Sequence, residues 1–93
     1  MPMDHTVNRE SIAMKAFATQ SQDIADGMED VCSHLRQLLQ DANDYMQDES
    51  GQEALSIIEE LIEDISKTTV QMRTLANQVK RSADLLEESD TLL

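Results

Sequence analysis

The chain has no tryptophan, one tyrosine, one phenylalanine, two glycines, one proline and one cysteine in 93 residues. Each shortage excludes something. A chain this short makes one small domain at most, and with two aromatics it has little to build an enclosed core from. Scarce Gly and Pro leave little loop on which to mount reactive groups, which argues against an enzyme. The lone Cys32 precludes an internal disulfide; on an apolar helix face the expectation is a small buried thiol. Basic residues are few as well: seven Lys and Arg against nineteen Asp and Glu give a formal charge of −12. That argues against nucleic acid, which needs clustered cations, and against docking on anionic lipid. No apolar run approaches the roughly twenty residues that span a bilayer, so direct membrane insertion is not expected. Met1-Pro2-Met3-Asp4-His5 carries neither the basic nor the apolar segment of a signal peptide. The expected location is cytoplasmic, before any export by a route that accepts folded substrates without a cleaved signal.

What the sequence does have is two apolar ladders. The first reads Met14, Phe17, Ser21, Ile24, Met28, Val31, Leu35, Leu38, Ala42, Tyr45. The second reads Leu55, Ile58, Ile62, Ile65, Thr69, Met72, Ala76, Val79, Ala83, Leu86. Steps alternating three and four keep side chains on one helix face, the spacing with which helices pack side by side. Between the ladders lies the polar stretch Asp48-Glu49-Ser50-Gly51-Gln52-Glu53. The fold class is therefore all-α: an antiparallel helical hairpin of two long helices, with the ladder residues inward. Beside the first ladder run Ala18, Ala25, Cys32, Leu39 and Met46, and beside the second Ala54, Leu61, Thr68 and Leu75. Three apolar positions per heptad suit a helix with two neighbours, so two hairpins are expected to pair into a four-helix bundle.

Boundaries follow from local chemistry. Residues 1–8 read as a frayed leader behind Pro2, with Thr6 and Asn8 as candidate caps, and the first helix spans about 9–47. The bend is 48–51. Ser50-Gly51-Gln52-Glu53 reads as a capping box, Ser50 and Glu53 serving each other's amides, and opens a second helix over about 51–89. Gly27 is the one helix-weakening residue inside the first helix. Charge is uneven: no basic residue lies between Arg36 and Lys67, while the bend is crowded with Asp and Glu.

Few constellations suggest chemistry. Asp41-Ala42-Asn43-Asp44-Tyr45-Met46 begins like a calcium loop but has Tyr45 and Met46 at its fifth and sixth positions. His34 near Cys32 has no second pair at metal spacing. No catalytic residue, metal ligand or cofactor is assigned. The candidate interaction face is Met14, Phe17, Ile24, Met28, Val31, Leu35, Leu38, Leu55, Ile58, Ile62, Ile65, Met72 and Val79.

A hairpin of this length with a glycine at its bend resembles the small Trp-x-Gly proteins of bacterial type VII secretion systems. In Glu49-Ser50-Gly51-Gln52-Glu53-Ala54 the glycine matches and Glu49 occupies the tryptophan position. The family's tail signal, an aromatic followed four residues later by an acid, is matched by Leu86 in the aromatic place and Asp90 as the acid. The resemblance implies a secreted pairing protein, or a targeting partner of a Leu-x-Gly toxin. It also implies as partners a second copy, a related small helical protein or such a toxin, and a secretion ATPase. The other readings are a structural or signalling coiled-coil module and an export chaperone or adaptor of another route.

Overall fold

The computed structural model describes residues 5–92, and the side chains of 8–89. Two helices account for nearly all of it: α1, His5–Asn43, and α2, Glu49–Leu92. No strand occurs among the described residues. The protein is an all-α helical hairpin. Its residues group into two compact units, an open-end unit (residues up to Ile24 with those from Gln71) and a bend unit, Ala25–Val70. The helices are antiparallel in each unit, since Ser11 meets Glu87 and Gln22 meets Asn77 in one, while Cys32 meets Ser66 and Asn43 meets Gln52 in the other.

Both helix starts come earlier than the sequence reading placed them. α1 begins at His5 rather than about 9, with Thr6 and Asn8 inside it. Nothing between His5 and Ser11 forbids helical backbone, and Ser11, fully buried and bonded to Glu87, anchors the first turns. The rest of the expected leader, residues 1–4, lies outside the described residues. α1 also stops at Asn43 rather than 47. Its last turn closes tightly as the amides of Asp44, Tyr45 and Met46 bond the carbonyls of Asp41 and Ala42. Asn43 and Asp44 are weak helix formers, and Asp44 would sit badly at the negative end of a longer helix. The apolar spacing of Tyr45 and Met46 hid this stop.

The cap of α2 is Asp48, two residues before the expected capping box. Its Oδ1 accepts from the Gly51 amide at 2.7 Å and its carbonyl from the Gln52 amide at 2.9 Å. Ser50 and Gly51 therefore lie inside a helix that opens at Glu49. Asp48 caps as well as Ser50 could, and its charge adds attraction to the helix N-terminus, where Glu49 also sits favourably. Gln52 completes the turn, its Nε2 donating to the Met46 carbonyl at 2.6 Å.

Gly51 is buried in this turn. A Cβ there would come within 2.7 Å of Asp48 Oδ1 and 2.8 Å of Met46 Cβ, so only glycine lets the bend fold this tightly onto α2. At Gly27 the same atom would meet nothing within 4 Å.

Two tests follow. In chemical denaturation Asp48→Ala should lose about 0.5–2 kcal/mol as a lost cap, whereas Ser50→Ala should change stability by less than about 0.5 kcal/mol. Thermal unfolding should separate the glycines. Gly27→Ala should stabilise by up to about 1 kcal/mol, while Gly51→Ala should destabilise by about 1–3 kcal/mol through overpacking.

Candidate partner-binding face

Which residues lie between the helices is set by a seven-residue repeat of mostly small side chains. In the open-end unit the buried positions are Ser11, Ala18 and Ser21 of α1 with Ala76 and Ala83 of α2. In the bend unit they are Ala25 and Cys32 with Leu55, Ile62 and Thr69, together with Gly51 of the turn. Small side chains on the contact line let two helix axes approach closely, and whatever is larger is pushed to the flanks. Ser11, Thr69 and Cys32 each have a polar neighbour. Ser11 donates to Glu87, Thr69 Oγ1 donates to the Ile65 carbonyl at 2.8 Å, and Cys32 Sγ lies 3.8 Å from both the Ile62 carbonyl and Ser66 Oγ.

One flank of the seam is polar in both units. In the open-end unit Lys15 Nζ donates to Glu87 Oε2 at 2.8 Å and approaches Asp84 at 3.7 Å, and Gln22 Nε2 donates to Asn77 Oδ1 at 3.2 Å. In the bend unit Arg36 Nη2 donates to Ser66 Oγ at 3.2 Å and Gln52 Nε2 to Asn43 Oδ1 at 3.4 Å. A shallow groove of about 360 Å³ on this flank of the bend unit is lined by Glu29, Cys32, Arg36 and Ser66, among others.

The opposite flank is apolar. In the bend unit Met28, Leu35, Ile58 and Ile65 are half-buried, and beside them Val31 (50 % exposed), Leu38 (62 %) and Leu61 (50 %) face solvent. In the open-end unit Met14, Met72, Val79 and Leu86 are half-buried, beside Phe17 (48 %), Ile24 (56 %) and Leu75 (46 %). Here the expectation of inward ladders needs correcting. The second ladder does face α1, but the Phe17, Ile24, Val31, Leu38 and Tyr45 row of the first ladder lies outside. The row Ala18, Ala25, Cys32 takes its place because only small residues fit the close contact line. That seven-residue run of small residues was legible in the sequence, as were Ala76 and Ala83 opposite it.

Of the remaining assigned positions, Leu55 and Ile62 are buried, Glu49, Ser50 and Glu53 are exposed at the bend, and the Asp90 side chain lies outside the described residues. Among the described residues no group of three or more His, Cys, Asp or Glu side chains could hold a metal ion, and no helix is long and apolar enough to cross a membrane.

One cluster has the residue types of a nucleophilic site and was missed from sequence: Ser11, Lys15, Asp84 and Glu87. The spacing of Ser11 and Lys15 puts them one turn apart on α1, but nothing local points to residues seventy positions away. Their protonation states suit a clasp. The hydrogen bond to Glu87 holds the Lys15 ammonium above its usual range despite some desolvation, so it is no base for Ser11. Hydrogen bonds from Lys15 and then Ser11 hold the Glu87 carboxyl below the usual range, so Ser11 donates to a carboxylate that stays ionised.

No protein-family model, curated protein or solved structure matches this chain.

The clasp sets a pH window. Glu87 is lowered, so its contribution is fully present above the ordinary glutamate range and is lost as pH falls through its depressed value. Lys15 is raised, so its contribution is present below the ordinary lysine range and is lost as pH rises through its elevated value. Urea unfolding at a series of pH values should show wild type above Glu87→Gln near neutrality and the two converging in acid. Both groups are solvent-accessible, so the gap should be small and should shrink in salt.

Proposed function

We propose that this chain is a non-enzymatic pairing module of the type VII secretion kind, exported itself or acting as the targeting partner of a secreted toxin. The observation that carries the reading is the apolar flank. A hairpin whose helices already meet through small residues still presents Phe17, Ile24, Val31 and Leu38 to solvent in a row seven residues apart, next to a half-buried band. In each unit these exposed residues lie beside half-buried apolar ones, and a clustered exposed apolar surface of this kind marks a protein-binding site. These side chains are already about half covered, so burying the rest of each is worth about 1 kcal/mol, and the row together outweighs any single polar contact.

Two features support the secretion reading specifically. Gly51, the residue matching the family's bend glycine, sits where a Cβ would collide with the turn. Leu86, in the place of the tail aromatic, stands half-buried at the end of the apolar flank. The partner is another helical-hairpin surface, a second copy or a cognate protein, and the tail around Leu86 and Asp90 is the part read by a secretion ATPase. A structural coiled-coil module is the second reading, favoured by the seven-residue period of the buried line; it keeps the pairing and drops the export.

The test is secretion from the native host, with the protein followed in cells and medium. Export should be abolished by Leu86→Ala with Asp90→Ala, while circular dichroism stays as in wild type and pairing, carried mainly by Phe17, Ile24, Val31 and Leu38, persists. Val31→Asp with Leu38→Asp should abolish pairing and export together. Retention of the wild-type chain in cells whose type VII apparatus is active, with no exported protein dependent on it, would overturn the secretion reading and leave the coiled-coil module.

A further inference from the structure

We propose that the polar flank of the bend unit holds a second docking site, a groove over Leu39 and Ile62 that receives an arginine or lysine side chain of a basic protein segment. The site goes beyond the pairing surface on the apolar flank and does not depend on it.

Within the bend unit the polar flank is bridged at two places. Arg36 reaches Ser66 at 3.2 Å, and Gln52 reaches Asn43 at 3.4 Å. Between those bridges no hydrogen bond joins residues 37–42 to residues 53–65 among the described residues. The open stretch holds two adjoining grooves of about 430 and 200 Å³, which share Leu39, Gln40 and Glu59. Its floor is the buried Leu55 and Ile62 with the half-buried Leu39. Its α2 wall carries the exposed Glu59 and Glu63, one helical turn apart. Neither carboxylate has a hydrogen bond or an ion pair among the described residues.

The open-end unit displays what such a pair takes. Glu87 and Asp84 stand at the same positions of the seven-residue repeat as Glu59 and Glu63. There Lys15 of α1 reaches both, Glu87 at 2.8 Å and Asp84 at 3.7 Å. Four repeats along each helix lead from Lys15 and Glu87 to Asn43 and Glu59. Asn43 carries no charge, and Gln52 already donates to it. Arg36, the cation that lines the groove, is turned to Ser66 and forms no ion pair with either glutamate. The chain thus completes this constellation with its own lysine in one unit and leaves it without a cation in the other.

The floor decides the kind of cation. A bare ion would sit at the carboxylates and leave Leu39 uncovered. Arginine and lysine carry an aliphatic stem that lies on apolar surface and a head group that hydrogen-bonds carboxylates. The bend unit also has twelve acidic and two basic residues, a net −10, which draws a basic segment in before it docks.

The test uses the purified full chain and a short fluorescein-labelled peptide of arginine and alanine, followed by fluorescence anisotropy at low salt. Glu59→Gln with Glu63→Gln should weaken binding about tenfold. Glu60→Gln with Asp64→Asn removes the same charge at the same spacing from the outer face of α2 and should change binding by less than about twofold. Arg36→Gln should tighten binding, since a like charge leaves the groove. All five positions are exposed, so circular dichroism should not change. During the titration the methyl resonances of Leu39 and Ile62 should shift, and those of Val31 and Leu38 on the apolar flank should stay. Equal weakening by the two double variants, weakening by Arg36→Gln, or shifts confined to Val31 and Leu38 would each overturn the site. Spermidine binding as tightly as the peptide, with the same loss in the Glu59 and Glu63 variant, would make the occupant a free polyamine and overturn the protein segment. So would a doubled chain mass in sedimentation that disappears in that variant, which would make the occupant a second copy.

Discussion

The close contact line between the helices is the constraint on which the rest of the molecule depends. Because Ala18, Ala25, Ala76 and Ala83 are too small to hold the helices apart, each unit packs on backbone-near surface and has no room for Phe17 or Val31 in the middle. The larger apolar side chains are displaced to one flank by default. The polar ones, Lys15, Gln22 and Arg36 on α1 with Glu87, Asn77 and Ser66 on α2, are gathered on the other and hydrogen-bond across it. A seam of leucines would have consumed the apolar surface internally. A seam of mostly small residues leaves much of it for something else.

The fold was legible in the sequence because its signals are long and redundant. Two runs of three-four spacing over some thirty residues each, with few glycines and one proline, admit no other class. The centre of the seam was less legible. Hydrophobicity ranks Phe17 and Ile24 above Ala18 and Ala25, and a reading that sends the most apolar row inward puts the wrong row there. Size on the contact line decides, and size argues the other way. At the bend, Ser50 with Glu53 and Asp48 with its downstream amides were both good local solutions. Asp48 prevails because it brings Glu49 into the first turn and lets the turn close on Gly51. The clasp of Ser11 with Glu87 had no local signature at all, since its parts come from opposite ends of the chain.

The bend and the clasp do different jobs on the same problem. At the bend, Asp48, Gln52 and Gly51 fix the connection by short hydrogen bonds and by the absence of a side chain. In the open-end unit, Ser11 and Lys15 share one carboxylate and add directional contacts to a pairing whose fully buried apolar residues are all alanines. Apolar burial there is slight, so the directional contacts carry more of the specificity than they do in the bend unit, where Leu55 and Ile62 are buried.

A contact line that repeats every seven residues has a further consequence. A heptad shift of one helix keeps the period of the line, so the period alone does not fix the register; the size of Leu55 and Ile62 against Ala76 and Ala83 does. The line does not, however, distinguish its own partner helix from the same helix of a neighbouring molecule. What keeps α1 folded back on its own α2 is the short turn between Asn43 and Glu49. Straightening that turn would let two chains exchange helices and rebuild every seam contact between them, the situation from which domain swapping arises. The tight glycine at position 51 is thus the point at which this protein is held to be a hairpin instead of an exchanged pair of long helices.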